Sequence, residues 1–493
     1  MYSVMKSFLV LLQITVISFT SLAQSTTGIS EIKKENLISD VKTLSSKEFD
    51  GRLPGSEGYN KAASFGIEKF SELGLKPFYN ENYFQNFEIE YNKIKSPAGF
   101  KAIVDHDTTM GELGKDFVFR GFTGSNKFTL PVVFCGYGIS RPDLGYDDYA
   151  NMNVKNKTVI VFKQNPNWKI NNKEWGTNFP REKSLIAKKF GAKGILFVSL
   201  PNDKNPQQLI GSVLHGEGEQ PTDFPQLQIS HDMANRLLSK TGLTISDYQT
   251  KIDERKKPLS TVLTTKAFVE VNAEYKKNAK AMNVVGMIEG SDPKLKNEFV
   301  VIGGHLDHVG SQAGLLFPGA NDNASGASGV LEIARAFAKS GVKPKRSVVF
   351  VLFAGEEQGL NGSKYFVESW KKGYNKIAAM FNLDCIGYGD SIKVGNGKSS
   401  PELWKIANQL DKENFNYMVN DTWNGGGADA APFHEKSIPC LYFVTTNSYE
   451  HLHLPTDKVE TLNSQLFENI VKLAYLTANE VADGNYKREK VIK

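Results

Sequence analysis

Only three cysteines, Cys135, Cys385 and Cys440, occur in 493 residues, and no two stand in a CxxC pair. That excludes a disulfide scaffold and a thiolate metal knuckle, since one bridge at most can form and one thiol must stay free. Excess charge is scarce too. The 59 basic and 54 acidic side chains leave a net charge of +5, with no clustered basic patch of the kind that grips nucleic acid. The basic stretch from Lys487 to Lys493 reads as a solvated tail. Beyond the first 23 residues no apolar run is long enough to span a bilayer. Internal repeats and low-complexity tracts are absent. What remains is an ordinary globular balance, 40% hydrophobic and 23% charged, with enough apolar content for large cores in two to three domains.

The N-terminus has a pattern of its own. Lys6, an apolar run from Phe8 to about Phe19 and then Ser21-Leu22-Ala23 read as a signal peptide over residues 1–23, which predicts export to the periplasm or beyond. Three segments follow. Residues 29–105 open with helical patterning and a glycine-marked turn, "FDGRLPGSEGYNK". Residues 106–267 hold short β-like runs ("LPVVFCGYGI", "KTVIVFK", "KGILFVSL", "FPQLQIS") around one helix, and predict a compact β-rich insert. Residues 268–487 alternate strands and helices. Their strands are nearly continuous apolar runs ("FVVIGGHLD", "RSVVFVLFAG", "IAAMFNLDCIG", "IPCLYFVTT"), so the fold class is α/β with a sheet covered on both faces.

Chemistry collects where those strands end. "VIGGHLDH" closes on His305 and Asp307; "LLFPGANDNASGAS" puts Asp322 just before a helix; "VLFAGEE" ends in Glu356 and Glu357; "MFNLD" in Asp384; "EHLHLPTD" carries His451, His453 and Asp457. Singly, each has a plain structural explanation: a helix N-cap for Asp322, a solubilising strand end for Asp384, a solvated turn for the glutamates. Jointly they are five coincidences on neighbouring segments. His308 and His434 are read as ordinary histidines with no special role. Imidazole with carboxylate and no thiolate suits zinc, or manganese or cobalt. There are too many ligands for one tetrahedral ion, which predicts two. With Asp322 bridging, one ion takes Glu357 and His453 and the other His305 and Asp384. Glu356 is then free as general base for a water. Both glutamates reach one site only if the strand stops at Ala354-Gly355, and Asp307 is placed to orient the His305 ring.

The pieces "GGHLDHVG", "PGANDNASG", "FAGEEQGLNGS", "NLDCIG" and "HLPTDKVE" resemble the dinuclear zinc aminopeptidases of the bacterial leucyl aminopeptidase and aminopeptidase Y type, relatives of glutamate carboxypeptidase II and the transferrin receptor. The segment "GYGISRPDLGYDDYANMNVKNKTVIVFK" is similar to a protease-associated domain. The resemblance implies a three-layer α/β/α sandwich with a mixed, mostly parallel sheet, two zinc ions per chain, a peptide substrate and a cis peptide between Asp322 and Asn323. Two departures stand out. Relatives often carry tyrosine just before the last zinc histidine; here that residue is Leu452, with Tyr449 nearby. Ala430 stands where they often have histidine, while Asp429 remains and is expected to line the substrate pocket with Tyr449. The alternatives are a carboxypeptidase for acidic C-terminal residues, which would need pocket arginines where this region offers only Arg335 and Arg346 before its tail, and a metal-free receptor, which would be expected to lack ligands.

Overall fold

The computed structural model describes residues 28–493 apart from 80–81, 178 and 217; the expected signal peptide lies outside the described residues. Eleven strands carry the argument. They are β1 (Phe84–Val104), β2 (Asn126–Phe134), β3 (Thr158–Phe162), β4 (Gly194–Val198), β5 (Gln226–Ile229), β6 (Thr261–Ile288), β7 (Phe299–His305), β8 (Ser347–Phe353), β9 (Ile377–Leu383), β10 (Ile392–Gly395) and β11 (Cys440–Thr445). Ten of them hydrogen-bond in the order β10-β11-β9-β7-β8-β6-β2-β3-β4-β5, and β1 pairs with β6 off this path. Strands β8, β7, β9 and β11 run parallel, as do β2 to β5, while β6 is antiparallel to both β8 and β2. The sheet is mixed and mostly parallel.

Alternation along the strands shows why both faces are covered. Every residue of β7, β8 and β9 is buried, so β-branched and aromatic side chains serve each face in turn. Val300 and Ile302 join one core, with Leu37 and Val41 of one helix and Val330 and Leu331 of another. Phe299 and Val301 point the opposite way and pack with Phe366, Val367 and Trp370. Helix, sheet and helix layers follow directly from that split.

Residues 106–267 repeat the pattern on a smaller scale. Ile160 and Leu196 face Met233 and Leu237 of one helix, whereas Val161 and Ile195 face Ala187 of another. The insert's parallel strands are thus covered by helices on both sides. β6 runs on for 28 residues, paired with β1 over most of its length. All three cysteines are buried and unpaired. Among the described residues, no helix is long and apolar enough to cross a membrane.

Candidate metal centre

The C-terminal ends of the parallel strands deliver the polar residues. β7 terminates on His305 itself, and β9 is followed at once by Asp384. β8 stops at Phe353, and Gly355 then takes the left-handed conformation (φ +69) that lets the chain turn. Glu356 and Glu357 therefore leave strand alternation and can face one region. Asp322 lies in the turn Ala320–Ser325 that enters helix Gly326–Lys339, and His453 comes from the loop after β11.

Asp322 is the shared member. Its Oδ1 lies 3.3 Å from His305 Nε2, and its Oδ2 lies 3.1 Å from His453 Nε2. Asp384 Oδ1 is 3.5 Å from His305 Nε2, and Glu357 Oε2 is 2.9 Å from His453 Nε2. Two donor sets result: His305, Asp322 and Asp384 on one side, and Asp322, Glu357, His453 and His308 on the other, with donor atoms in each set within 4.8 Å of one another. A tetrahedral ion bound at roughly 2.0–2.1 Å holds its donors about 3.3 Å apart, so these N/O sets fit a pair of such ions.

The electrostatics point the same way. Burial pushes the Glu357 carboxyl up, but His453 and His308 outweigh it and hold it down at about 2. Burial also opposes charge on Asp322, yet hydrogen bonds from His305 and His453 keep it well below the carboxylate range. For Glu356 burial prevails: the His305 charge lowers its carboxyl, but burial, with Glu357 and Asp384 adding, raises it well above its ordinary value. Burial raises Asp307 and Asp429 to about 7 each. A buried region this rich in carboxylates calls for cations.

Several residues hold the donors in place. Asp307 Oδ1 accepts the backbone N–H of Glu356 at 3.2 Å, and Oδ2 accepts that of Glu357 at 3.4 Å. The expectation that its carboxylate orients His305 needs correcting: the ring's Nδ1 is 3.2 Å from the Asp307 backbone carbonyl but 3.8 Å from Oδ1. Asp457 accepts the N–H groups of Asn321 and Asp322 at 2.8 and 3.0 Å. Asp322 does not cap the helix, whose N-cap is Ser325; Asn323 Oδ1 accepts from the N–H groups of Gly326 at 2.8 Å and Cys385 at 3.2 Å. The Asp322–Asn323 peptide is cis. Arg52, with no exposed surface, donates to the carbonyls of Leu44, Leu306, Pro318 and Gly319, each at 2.8 Å. Burial lowers it to about 10 while Asp322 and Asp457 pull the other way. It is the fixed cation beside the cluster.

Three further expectations change or sharpen. His308, set aside in the sequence, is fully buried and lies 2.9 Å from Glu357 Oε1 and 3.7 Å from Asp322 Oδ2. It packs on Gly319, whose left-handed backbone (φ +61) leaves no room for a side chain: an added Cβ would stand 2.5 Å from the His308 ring. Asp429, expected to line the substrate pocket, has no exposed surface; His305 opposes the rise that burial imposes on its carboxyl and Asp384 adds to it, and neither oxygen has a hydrogen bond of good geometry, although the Ser363 hydroxyl is near. Tyr449 is half exposed and lines a cavity of about 930 Å³ with Tyr388 and Trp423. It hydrogen-bonds Tyr442, whose hydroxyl donates to Asp384 Oδ2 at 3.0 Å. His434 lies outside both donor sets.

The insert reaches this centre. Gly211 N–H donates to the His453 carbonyl at 2.8 Å, and a cavity of about 270 Å³ is lined by Glu357 and His453 together with residues of the insert.

Residues 283–478 match the family described as Peptidase family M28. A probable zinc metalloprotease of Pyrenophora tritici-repentis is 35% identical over 154 residues, covering 30% of this chain and 33% of that protein. Aminopeptidase YwaD of Bacillus subtilis is 26% identical over 402 residues, 78% of this chain and 75% of the relative. Among solved structures, the aminopeptidase from Aneurinibacillus sp. strain AM-1 superposes with a TM-score of 0.65 at 20% identity, covering 95% of this chain and 97% of its own. That likeness shows a shared fold. The chain spans about a third and a quarter of the length of the two Pyrenophora relatives it matches.

Proposed function

Because residues 283–478 match the family described as Peptidase family M28, we propose that this chain is an exported metallo-aminopeptidase that removes N-terminal residues from peptides. The match supports a zinc-dependent hydrolase. The observation that carries the finer reading is the position of Asp322, one oxygen toward His305 and the other toward His453. His305, Asp322 and Asp384 would hold one zinc ion, and Asp322, Glu357 and His453 the other. When bound, the pair supplies Lewis acidity to water and to the peptide carbonyl.

The chain's own groups then have distinct tasks. Glu356 belongs to neither donor set, keeps 18% of its side chain exposed and stands 4.0 Å from His305 Nε2. It takes the proton of the attacking water and passes it to the leaving amine. Asp307 fixes Glu356 and Glu357 through their backbone N–H groups. Tyr449 and the cavity beside it receive the substrate's first side chain. The carboxypeptidase alternative would need free arginines from the catalytic region, whereas Arg335 pairs with Glu332 and Arg346 with Glu298.

The test uses zinc-loaded protein, aminoacyl anilides and the same compounds acetylated on the amine. Cleavage of the free-amine substrates alone, abolished by chelator, is expected. Equal cleavage of the acetylated compounds, or release of C-terminal residues from blocked peptides, would contradict the aminopeptidase reading.

A further inference from the structure

Two cations of the insert stand beside the metal centre without an anion. Arg120 and Lys163 are 5% and 9% exposed, and both line the cavity that Glu357 and His453 line. Arg120 Nη1 donates to Gln228 Oε1 at 3.1 Å, and Lys163 Nζ donates to the same oxygen at 3.0 Å and also to Gln207. One neutral amide oxygen therefore serves both charges. Arg120 Nε has no hydrogen-bond partner at all. Among the described residues no carboxylate pairs with either. Burial alone lowers the Arg120 guanidinium to about 10, and burial plus the like charge of Arg120 lowers Lys163.

Among the described residues Glu357 is the one carboxylate on the cavity wall, and its two oxygens already face His308 and His453. Leaving two like cations buried beside each other with no anion is costly. A structural role would be met as well by apolar side chains. An anion entering the cavity would satisfy the free donors.

We propose that Arg120 and Lys163 form a subsite for a substrate carboxylate, so that the enzyme prefers short peptides presenting an acid group on the far side of the scissile bond. The inference rests on the aminopeptidase reading and names its substrate class. It also gives the insert a task, since the loop holding Gln207 to Val213 both lines the cavity and bonds the His453 carbonyl through Gly211. The carboxylate has two sources, the free C-terminus of a dipeptide or an acidic side chain at the second residue.

The experiment compares Leu-Ala with Leu-Ala-amide, and Leu-Glu-amide with Leu-Gln-amide, on the zinc-loaded full chain. A charge-assisted pair predicts kcat/KM at least about tenfold higher for the acid member of one comparison. The first comparison reports the C-terminus and the second the side chain. Arg120→Met and Lys163→Met should each shrink that ratio, and Lys163→Arg should restore most of it. Acid-to-amide ratios near one in the wild type would overturn the proposal, as would ratios unchanged in both Met variants. Calorimetric binding of the same four peptides to zinc-loaded Glu356→Gln protein reads the subsite without turnover. If no substrate is hydrolysed, the aminopeptidase reading falls and the binding ratio still decides the subsite.

Discussion

His308 Nδ1 lies 2.9 Å from Glu357 Oε1, while the other oxygen of that carboxylate faces His453. One glutamate is thus gripped by two histidines. The two donor sets are consequently unequal, four residues against three. A filled set holds an ion more tightly, and an open one leaves a position for substrate or water.

His308→Ala should therefore weaken zinc binding at the Glu357 set by roughly 10–100-fold, the usual effect of removing a supporting group. Binding at the His305 set should change far less. Titration of metal-free protein against a chromophoric chelator resolves the two affinities. Equal weakening of both, or of neither, would remove His308 from the centre.

Glu356→Gln keeps the size of the side chain and removes the base. Turnover of an aminoacyl anilide should fall by about 10²–10⁴-fold with zinc content unchanged, because Glu356 is in neither donor set. Metal analysis alongside the rate separates this from a binding defect. Full activity in the variant would show that another group takes the proton.

Arg52→Met should destabilise the fold by about 3–5 kcal/mol, since four backbone carbonyls lose their donor and the acidic centre loses its fixed cation. Denaturant unfolding of the metal-free proteins measures the difference. A change below about 1 kcal/mol would mean that water replaces the guanidinium.

These contrasts show what could be read from residues alone. Apolar runs ending in His, Asp or Glu mark β7, β8 and β9 and the donor side chains beyond them, because burial on both faces writes itself into consecutive side chains. Arg52 leaves no such trace: its partners are backbone carbonyls of residues 44, 306, 318 and 319, and an acceptor common to every residue has no signature. His308 was hidden by its neighbours. Three residues past His305, just beyond the strand end, its direction depends on how the chain turns against Gly319. The length of β6 is not legible in the residues, because its pairing with β1 is a property of distant segments. Arg120 and Lys163 lie far from the ligand-bearing segments in sequence, and only the tertiary fold brings the insert to the same cavity.

Asp148, buried in the insert, gives a pH prediction remote from the centre. Burial raises its carboxyl from 3.8 to about 7, although the Ile139 N–H and Tyr146 hydroxyl favour its charge. The folded state thus holds a proton that the unfolded state releases between those values. Its contribution is full below about pH 4 and is lost as pH rises toward 7. Asp148→Asn should flatten that part of the profile. The observable is the denaturation midpoint of wild type and variant measured across this range; parallel profiles would refute it.

The most direct test is anomalous diffraction at the zinc edge from crystals of metal-loaded protein. Two peaks are predicted, one among His305, Asp322 and Asp384 and one among Asp322, Glu357 and His453, with Asp322 between them. A single peak, or peaks that leave Asp322 bound to one ion only, would contradict the account.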